Sequence, residues 1–277
     1  MKLKLLAIIT VLLFINYSYS ATISKQIRKK ENDLAKLHLN GKVKTVKVTS
    51  CSIDGKVIAI YFSKFDKDGN QIEYSCYKSD SSLISKQTSQ YDDKDNQIEI
   101  AFYNPDGSLN GTEKSTYDKN GDETETIDYD YKGDFYSKTN YKYDKRGYQT
   151  ELNRTQRDGS FLSKQTFVYD ENGNLTEDDD YNENGEINSK TILKYDQKGN
   201  LIQNTINYVK DSYEITRIYV YNEKGNKIEE SSINSYDSDK KFKYSYESND
   251  KLGNNIKMIV LANDIPVNIV KREIQYY

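Results

Sequence analysis

The sequence predicts an all-β protein, and three observations carry that prediction. Two interleaved series of turn residues each recur every 26 positions, the segments between them alternate in polarity with period two, and no helical run interrupts them. The expected architecture is an elongated, twisted, single-layer antiparallel β-meander built from 26-residue double-hairpin repeats, with a short helix before it.

One series runs Gly69, Gly121, Gly147, Gly173, Gly199 and Gly225, with Asp95 in the remaining slot. The other runs Gly55, Ser81, Gly107, Gly133, Gly159, Gly185 and Asp211. Most follow Asp or Asn, as in Tyr103-Asn-Pro-Asp-Gly107. Asp and Asn bond to the local backbone, and Gly takes the left-handed position that closes a type I turn with a bulge. The spacings leave strands of about seven and nine residues.

Three-residue loops fix a register. Tyr169 then pairs with Leu175 across one turn, and Tyr181 pairs with Ile187 across the next. Counting in twos from these pairs places Tyr117, Tyr129, Tyr143, Phe161, Tyr169, Tyr181 and Tyr195 on one surface, together with Leu175, Glu177 and Ile187. The other surface receives Lys164, Lys190, Ile72, Ile98 and Ile202. Neither face is cleanly apolar, which favours one layer over a sandwich, with stability additive from repeat to repeat.

The ends depart from the repeat. Ile23, Ile27, Leu34 and Leu37 fall near one helical face, so a helix is expected to cap the first strands. The last unit gains two residues before Gly253 and becomes more apolar from Ile256 to Ile269.

Lys2 and Lys4 precede the apolar run Leu5 to Ile15 and the small-residue stretch YSYSA, which is the pattern of a secretory signal peptide cut after Ser20. The run is too short for a spanning helix. The expected organisation is a signal peptide over 1–20, a helical cap or linker over 21–40 and the repeat domain over 41–277, exported to the periplasm, cell surface or medium. Losing Lys2 and Lys4 leaves 38 basic against 43 acidic residues, evenly spread, so no nucleic-acid surface is expected. An outer-membrane barrel is disfavoured, because the strands are short and Glu or Lys reaches both faces.

The Y-D-x-x-G-N unit resembles the YD (RHS-type) repeat of secreted and surface bacterial proteins. The match runs over roughly residues 40 to 277. Asn40-Gly-Lys-Val-Lys-Thr-Val46 resembles the first strand of the small exported members that lack a toxin domain. The resemblance implies the repeat architecture. No Pro- and Asp-rich cleavage motif is present, so toxin release is not implied.

Few residues point to chemistry. One His, two Cys and no Trp leave nothing for a zinc site or a His-centred network, and no cofactor is expected. The sequences DKDGN (from Asp66) and DKNGDE (from Asp118) lack the spaced ligands and distal Glu of a calcium loop, and read as turns. Cys51 and Cys76 are an even pair in an exported chain. A disulfide between them competes with two free thiols, since they lie two strands apart in the meander. Glu73, Glu99, Glu125, Glu151, Glu177 and Glu229 recur at one repeat position and read as sheet positions, whereas a catalytic pair would be singular.

The expected role is a non-enzymatic interaction surface for a protein or glycan partner at the cell surface, carried by the Tyr-rich face. The alternatives are a glycan-processing enzyme with a carboxylate pair and a structural envelope component.

Overall fold

The computed structural model describes residues 32–234 and 239–277. The expected signal peptide, Ile23 and Ile27 lie outside the described residues. A short helix, α1 (Asp33–Lys36), precedes 18 strands. The first nine are β1 (Val43–Ser52), β2 (Val57–Phe65), β3 (Gln71–Lys78), β4 (Leu83–Tyr91), β5 (Gln97–Tyr103), β6 (Leu109–Tyr117), β7 (Glu123–Asp130), β8 (Phe135–Tyr143) and β9 (Gln149–Gln156). The others are β10 (Phe161–Tyr169), β11 (Leu175–Tyr181), β12 (Ile187–Tyr195), β13 (Leu201–Tyr208), β14 (Tyr213–Tyr221), β15 (Lys227–Asn234), β16 (Lys240–Asn249), β17 (Asn255–Ala262) and β18 (Ile265–Tyr276).

Each strand pairs antiparallel with its neighbours in sequence, and β1 also pairs with β18 from Val43↔Tyr276 to Ser52↔Asn268. The sheet is therefore a closed barrel, not the open meander expected from the repeat. Twist and bulges coil the sheet until its two edges meet, and closure satisfies the backbone groups that an open sheet would leave at its margins. The irregular terminal strands do not end an open repeat array. They pair with each other.

The turns follow the residues that specify them. In the first, Asp66 Oδ1 accepts the backbone N–H of Asp68 and of Asn70, and Asn70 Nδ2 donates to Asp66 Oδ2. The same clasp recurs at Asp92–Asn96, Asp170–Asn174 and Asp196–Asn200, which accounts for the Asp and Asn of the repeat unit. Gly69, Gly173 and Gly199 hold φ of 91°, 83° and 81°, where a side chain is strained. Ser81 and Asp95 take the same region, while at the Asp211 slot Ser212 does so instead.

A second bulge follows the turns and overturns the expected common face. Tyr169 pairs with Leu175 as expected, but Val168 pairs with Glu177, so Thr176 is an extra residue. Ile72, Ile98, Thr124, Thr150 and Ile202 occupy the same slot in other hairpins. The hydroxyls of Thr124, Thr150 and Thr176 donate to the carbonyls of Thr116, Lys142 and Val168 across the bulge. The bulges of the alternate turns fall at Asn110, Tyr136, Leu162 and Asn188. One residue inserted per hairpin reverses which face the next strand presents.

Tyr117, Tyr143, Tyr169 and Tyr195 consequently face the barrel interior, and Tyr129, Phe161 and Tyr181 face outward. Burial identifies the two faces. Inward Leu175 and Leu193 are 2% and 3% exposed, whereas outward Val168 is 51% exposed. Inward apolar residues gather in two places. Val46, Val48, Tyr61, Phe65, Tyr244, Met258, Val260 and Val270 form one core across β16–β18, β1 and β2, with Leu34 of α1 against it. Phe167, Leu175 and Leu193 form the other across β10–β12.

The helix α1 is shorter than the expected cap. It sits on the rim that carries the β2–β3 turn, where Leu34 N–H donates to Gly69 O and Asp33 Oδ2 accepts the Gln71 N–H.

Candidate functional site

Three surfaces are built by this register, and each follows from a column of the repeat. The first is an inward ring of tyrosines at the rim of α1. Tyr117 Oη donates to Gln97 O at 2.8 Å, Tyr221 Oη to Leu201 O at 2.9 Å and Tyr246 Oη to Lys227 O at 2.9 Å. Each phenol therefore ties its strand to the preceding hairpin. Burial raises the pKa of Tyr61 and Tyr246 to about 12, and raises those of Tyr117, Tyr143 and Tyr169 further. The hydroxyls of Tyr117, Tyr221 and Tyr246 are committed to the fold.

The second surface is the outer wall. At the rim opposite α1, four hairpins oppose an outward aromatic to an aliphatic or second aromatic: Tyr77↔Leu83, Tyr103↔Leu109, Tyr129↔Phe135 and Tyr181↔Ile187. Lys164 lies over the ring of Tyr181 at 4.2 Å, and Lys114 over that of Tyr129 at 5.9 Å. An open groove of about 370 Å³ crosses β7–β9, with Tyr129 and Phe135 on its wall and Glu125, Lys138 and Arg157 at its edge. Tyr131 and Tyr136 stand beside it, 62% and 64% exposed. A larger groove of about 610 Å³ lies at the α1 rim between the Asn222–Asn226 turn and Tyr246–Asn249.

Nearer the middle of the outer wall the recurring Glu positions meet lysines: Glu73–Lys86, Glu99–Lys114, Glu125–Lys138, Glu177–Lys190 and Glu229–Lys241, at 2.6–3.3 Å. Such half-exposed pairs stabilise little individually, but they set the character of the surface.

The third surface is the inner wall, whose charged residues do not repeat. At one inward position the chain carries Gln71, Gln97, Glu123, Gln149, Leu175, Leu201 and Lys227 in turn. Across β6–β9, Arg154 Nη2 meets Asp128 Oδ2 at 2.5 Å, Ser137 Oγ donates to the same oxygen, and Thr126 Oγ1 donates to Glu123 Oε1 at 2.7 Å. Glu113 lies directly across from Asp128, and burial followed by the Asp128 charge raises its pKa. On β15, Lys227 Nζ meets Glu230 Oε2 at 2.7 Å with both side chains buried, and burial lowers the lysine pKa despite the neighbouring carboxylate. Burial pushes Arg272 down to about 10. Asp178, among Phe167, Leu193 and Tyr169, is raised to about 6 by burial and then by Asp180 and Asp179.

The inner-wall groups lie outside the columns that stay constant along the repeat. The signal was present in the columns that change. A position demanded by the repeat holds one residue type, and a position free of that demand does not. Of the seven aromatics expected on one face, the structure brings Tyr129, Phe161 and Tyr181 to the outer rim row and sends the other four inside. Cys51 and Cys76 are both free, on opposite faces of strands separated by β2. Among the described residues, no group of three or more His, Cys, Asp or Glu is placed to hold a metal ion.

No family model matches the chain, and no curated protein matches it. Among solved structures it is similar to a porin-like protein from Bacteroides uniformis, at 12% identity over 84% of this chain and 96% of that one, with a TM-score of 0.42. A porin-like protein from Bacteroides vulgatus shares 12% identity over 86% and 99% of the two chains, with a TM-score of 0.31. A chain of the TcdB2-TccC3-Cdc42 structure shares 11% identity over 79% of this chain and 17% of its own, with a TM-score of 0.31. Similarities this low assign neither a family nor an activity.

Proposed function

We propose that the chain is an exported, non-enzymatic repeat protein whose barrel wall presents an interaction surface to a protein or glycan partner, at the cell envelope or outside the cell. The observation that carries this reading is the outward row of aromatic pairs at one rim, with the groove at Tyr129 and Phe135. Tyr offers an apolar face and a polar tip, which suits both partner classes. The Tyr-Asp and Gly-Asn units support a place beside the small exported YD-repeat proteins, and the N-terminal signal pattern supports export.

The outer wall also bears on the membrane. No helix among the described residues is long and apolar enough to span a bilayer, which leaves a strand-built crossing to be judged on its own terms. A Lys at the lipid midplane of a barrel costs about 2–4 kcal/mol, and five Glu–Lys pairs stand on the outer wall. The outer wall is therefore read as water-facing, and the mature protein is expected to remain soluble and folded without detergent.

The test is a glycan array and a pull-down with the mature protein, beside the double variant Tyr129→Ser, Phe135→Ser. Loss of the captured partner with unchanged circular dichroism supports the surface. Glu73→Gln, Glu99→Gln and Glu151→Gln are expected to bind as the parent does. One folded Glu→Gln variant that abolishes binding outright would overturn the reading.

A second reading, glycan hydrolysis, is favoured by the Glu113–Asp128 pair. Glu113 and Asp128 are directly opposed on neighbouring strands, which puts two carboxyl groups side by side as a glycosidase pair requires. The pair is singular in the repeat, and its members differ in environment, Asp128 being bound by Arg154 while burial raises Glu113. Release of reducing ends from β-linked glycans that disappears in Glu113→Gln would establish it. Absence of turnover in the parent protein on such substrates ends it.

A further inference from the structure

One hairpin departs from the repeat and changes the inner wall. Phe135 and Ile187, which follow the turns at Gly133 and Gly185, each stand beside a bulge and face outward. The turn over 209–212 carries no bulge. Tyr208 pairs directly with Tyr213, Asn207 with Glu214 and Ile206 with Ile215. Ile206 also pairs with Thr191, the partner of inward Asp178, so Tyr208 and Tyr213 face the barrel interior. Their rings stack with centroids 5.6 Å apart at the rim opposite α1, and Asn234 Nδ2 donates to the Tyr213 hydroxyl at 2.5 Å. Both rings are half-buried.

Two inward rows deeper, the same wall carries a polar row. Asn204 pairs with Arg217, Arg217 with Ser232 and Ser232 with Lys240. Arg217 is half-buried and forms no hydrogen bond or ion pair among the described residues, unlike the inward Arg154, which meets Asp128. Glu230, the inward carboxylate of the neighbouring strand, is already held by Lys227 at 2.7 Å and by the Tyr244 hydroxyl at 3.2 Å. Asn204 is 8% exposed, and its Oδ1 has no hydrogen-bond partner. A buried amide oxygen without a donor is costly, and a cation without a counter-ion on an enclosed wall attracts an anion.

We propose that this stretch of the inner wall binds an acidic oligosaccharide, one that carries the carboxylate of a uronic acid. A ring of 18 strands falls in the size range that encloses an aqueous channel, so a sugar chain can enter at the rim. The planar guanidinium of Arg217 matches a carboxylate bidentately, and Lys240 adds a second positive charge in the same row. A ring hydroxyl beside that carboxylate donates to Asn204 Oδ1, which sulfate, having no proton, cannot do. The Tyr208–Tyr213 pair offers a flat apolar surface for a neighbouring sugar ring. Tyr213 and Arg217 are four residues apart on one strand, roughly 13 Å. The two contacts therefore belong to different rings of one chain, and a monosaccharide reaches only one of them. This site lies on the opposite face of the wall from the Tyr129–Phe135 groove and does not depend on it.

Isothermal titration calorimetry of the mature protein with trigalacturonate, trimannuronate and the uncharged maltotriose tests the proposal. At least one acidic trisaccharide is expected to bind about tenfold or more tightly than maltotriose, and this comparison does not depend on any variant folding. Arg217→Gln is expected to weaken that binding about tenfold or more, with unchanged circular dichroism. Arg217→Lys should restore only part of it, because an ammonium cannot make the paired contact. Tyr208→Leu is expected to weaken it as well. The outer-wall variant Tyr129→Ser, Phe135→Ser is expected to bind the acidic trisaccharide as the parent does, so the two walls are tested separately. A parent that binds neither acidic trisaccharide, or binds maltotriose equally well, would overturn the proposal. So would a folded Arg217→Gln variant that binds as the parent does, or loss of binding in the outer-wall variant.

Discussion

Tyr148 lies across Gly173: its phenol occupies the space a Cβ at residue 173 would need, while its ring stacks on Tyr169 with centroids 4.9 Å apart. Tyr148 stands where most units carry the Asn of the turn clasp, so one exchanged residue couples two neighbouring turns of the same rim.

The coupling separates two glycines of like conformation. Gly173 and Gly185 hold φ of 83° and 76°, and a Cβ at Gly185 meets nothing within 4 Å. Gly185→Ala should cost about 1 kcal/mol, from the left-handed conformation alone. Gly173→Ala should cost roughly 1–2 kcal/mol more, since overpacking is added. Urea denaturation reads the difference, and Tyr148→Asn should remove it. Equal midpoints for the two alanine variants would show that Tyr148 does not rest on the turn.

The inward and outward tyrosines should differ in what their hydroxyls contribute. Tyr117→Phe loses the bond to the Gln97 carbonyl and should destabilise by about 1 kcal/mol. Tyr129→Phe, outward at the rim groove, should change stability by only a few tenths of that. Denaturant midpoints of the two variants decide it, and a reversed order would contradict the assignment of faces.

Asp178 gives a pH dependence with a definite sign. Burial raises its folded pKa from the ordinary carboxylate range to about 6, so the fold favours the protonated carboxyl. That contribution is complete below about pH 4 and is lost as pH rises through 6. The inward groups around it are Asp180 on its own strand, Tyr169 and Gln165 on β10, and Tyr195, Thr191 and Ser189 on β12, with no cation among them. Asp178→Asn should therefore raise the melting temperature at pH 7–8 and lose that advantage below about pH 4. A difference that is constant with pH would sink this assignment.

Calcium should leave the melting temperature unchanged. Both carboxylate oxygens of Asp66 and of Asp196 already accept hydrogen bonds within their turns, and a calcium site needs six or more oxygens. Stabilisation by millimolar calcium that a chelator reverses would count against the clasp.

The turns were legible because their chemistry is local. Asp, Gly and Asn at fixed offsets specify one geometry, and pairs such as Tyr169 with Leu175 follow from loop length alone. The second bulge was not legible in the same way. Thr176 and Ile202 are ordinary strand residues, and only the threonine column that bonds back across several bulges hints at their role. Missing one residue per hairpin placed Tyr129 and Tyr181 on the same face as Tyr117 and Tyr143. Closure had no local signal at all, because Val46 pairs with Ile274 at the far end of the chain. The apolar character of the terminal strands was visible, but it fits a buried margin as well as a seam.

The seam between β1 and β18 changes what the repeat permits. A solenoid can lengthen or shorten by any unit, because its last repeat is always free to be last. A ring has no last repeat, and its membership is fixed by its circumference. Excising one 26-residue unit would remove two strands and two inversions together, so every remaining side chain would keep its side and a narrower ring would remain geometrically consistent. Excising half a unit would leave an odd ring in which inside becomes outside from the cut onward, setting the buried Lys227–Glu230 pair in water and the Glu–Lys girdle in the core. The chain can therefore change size only in whole units.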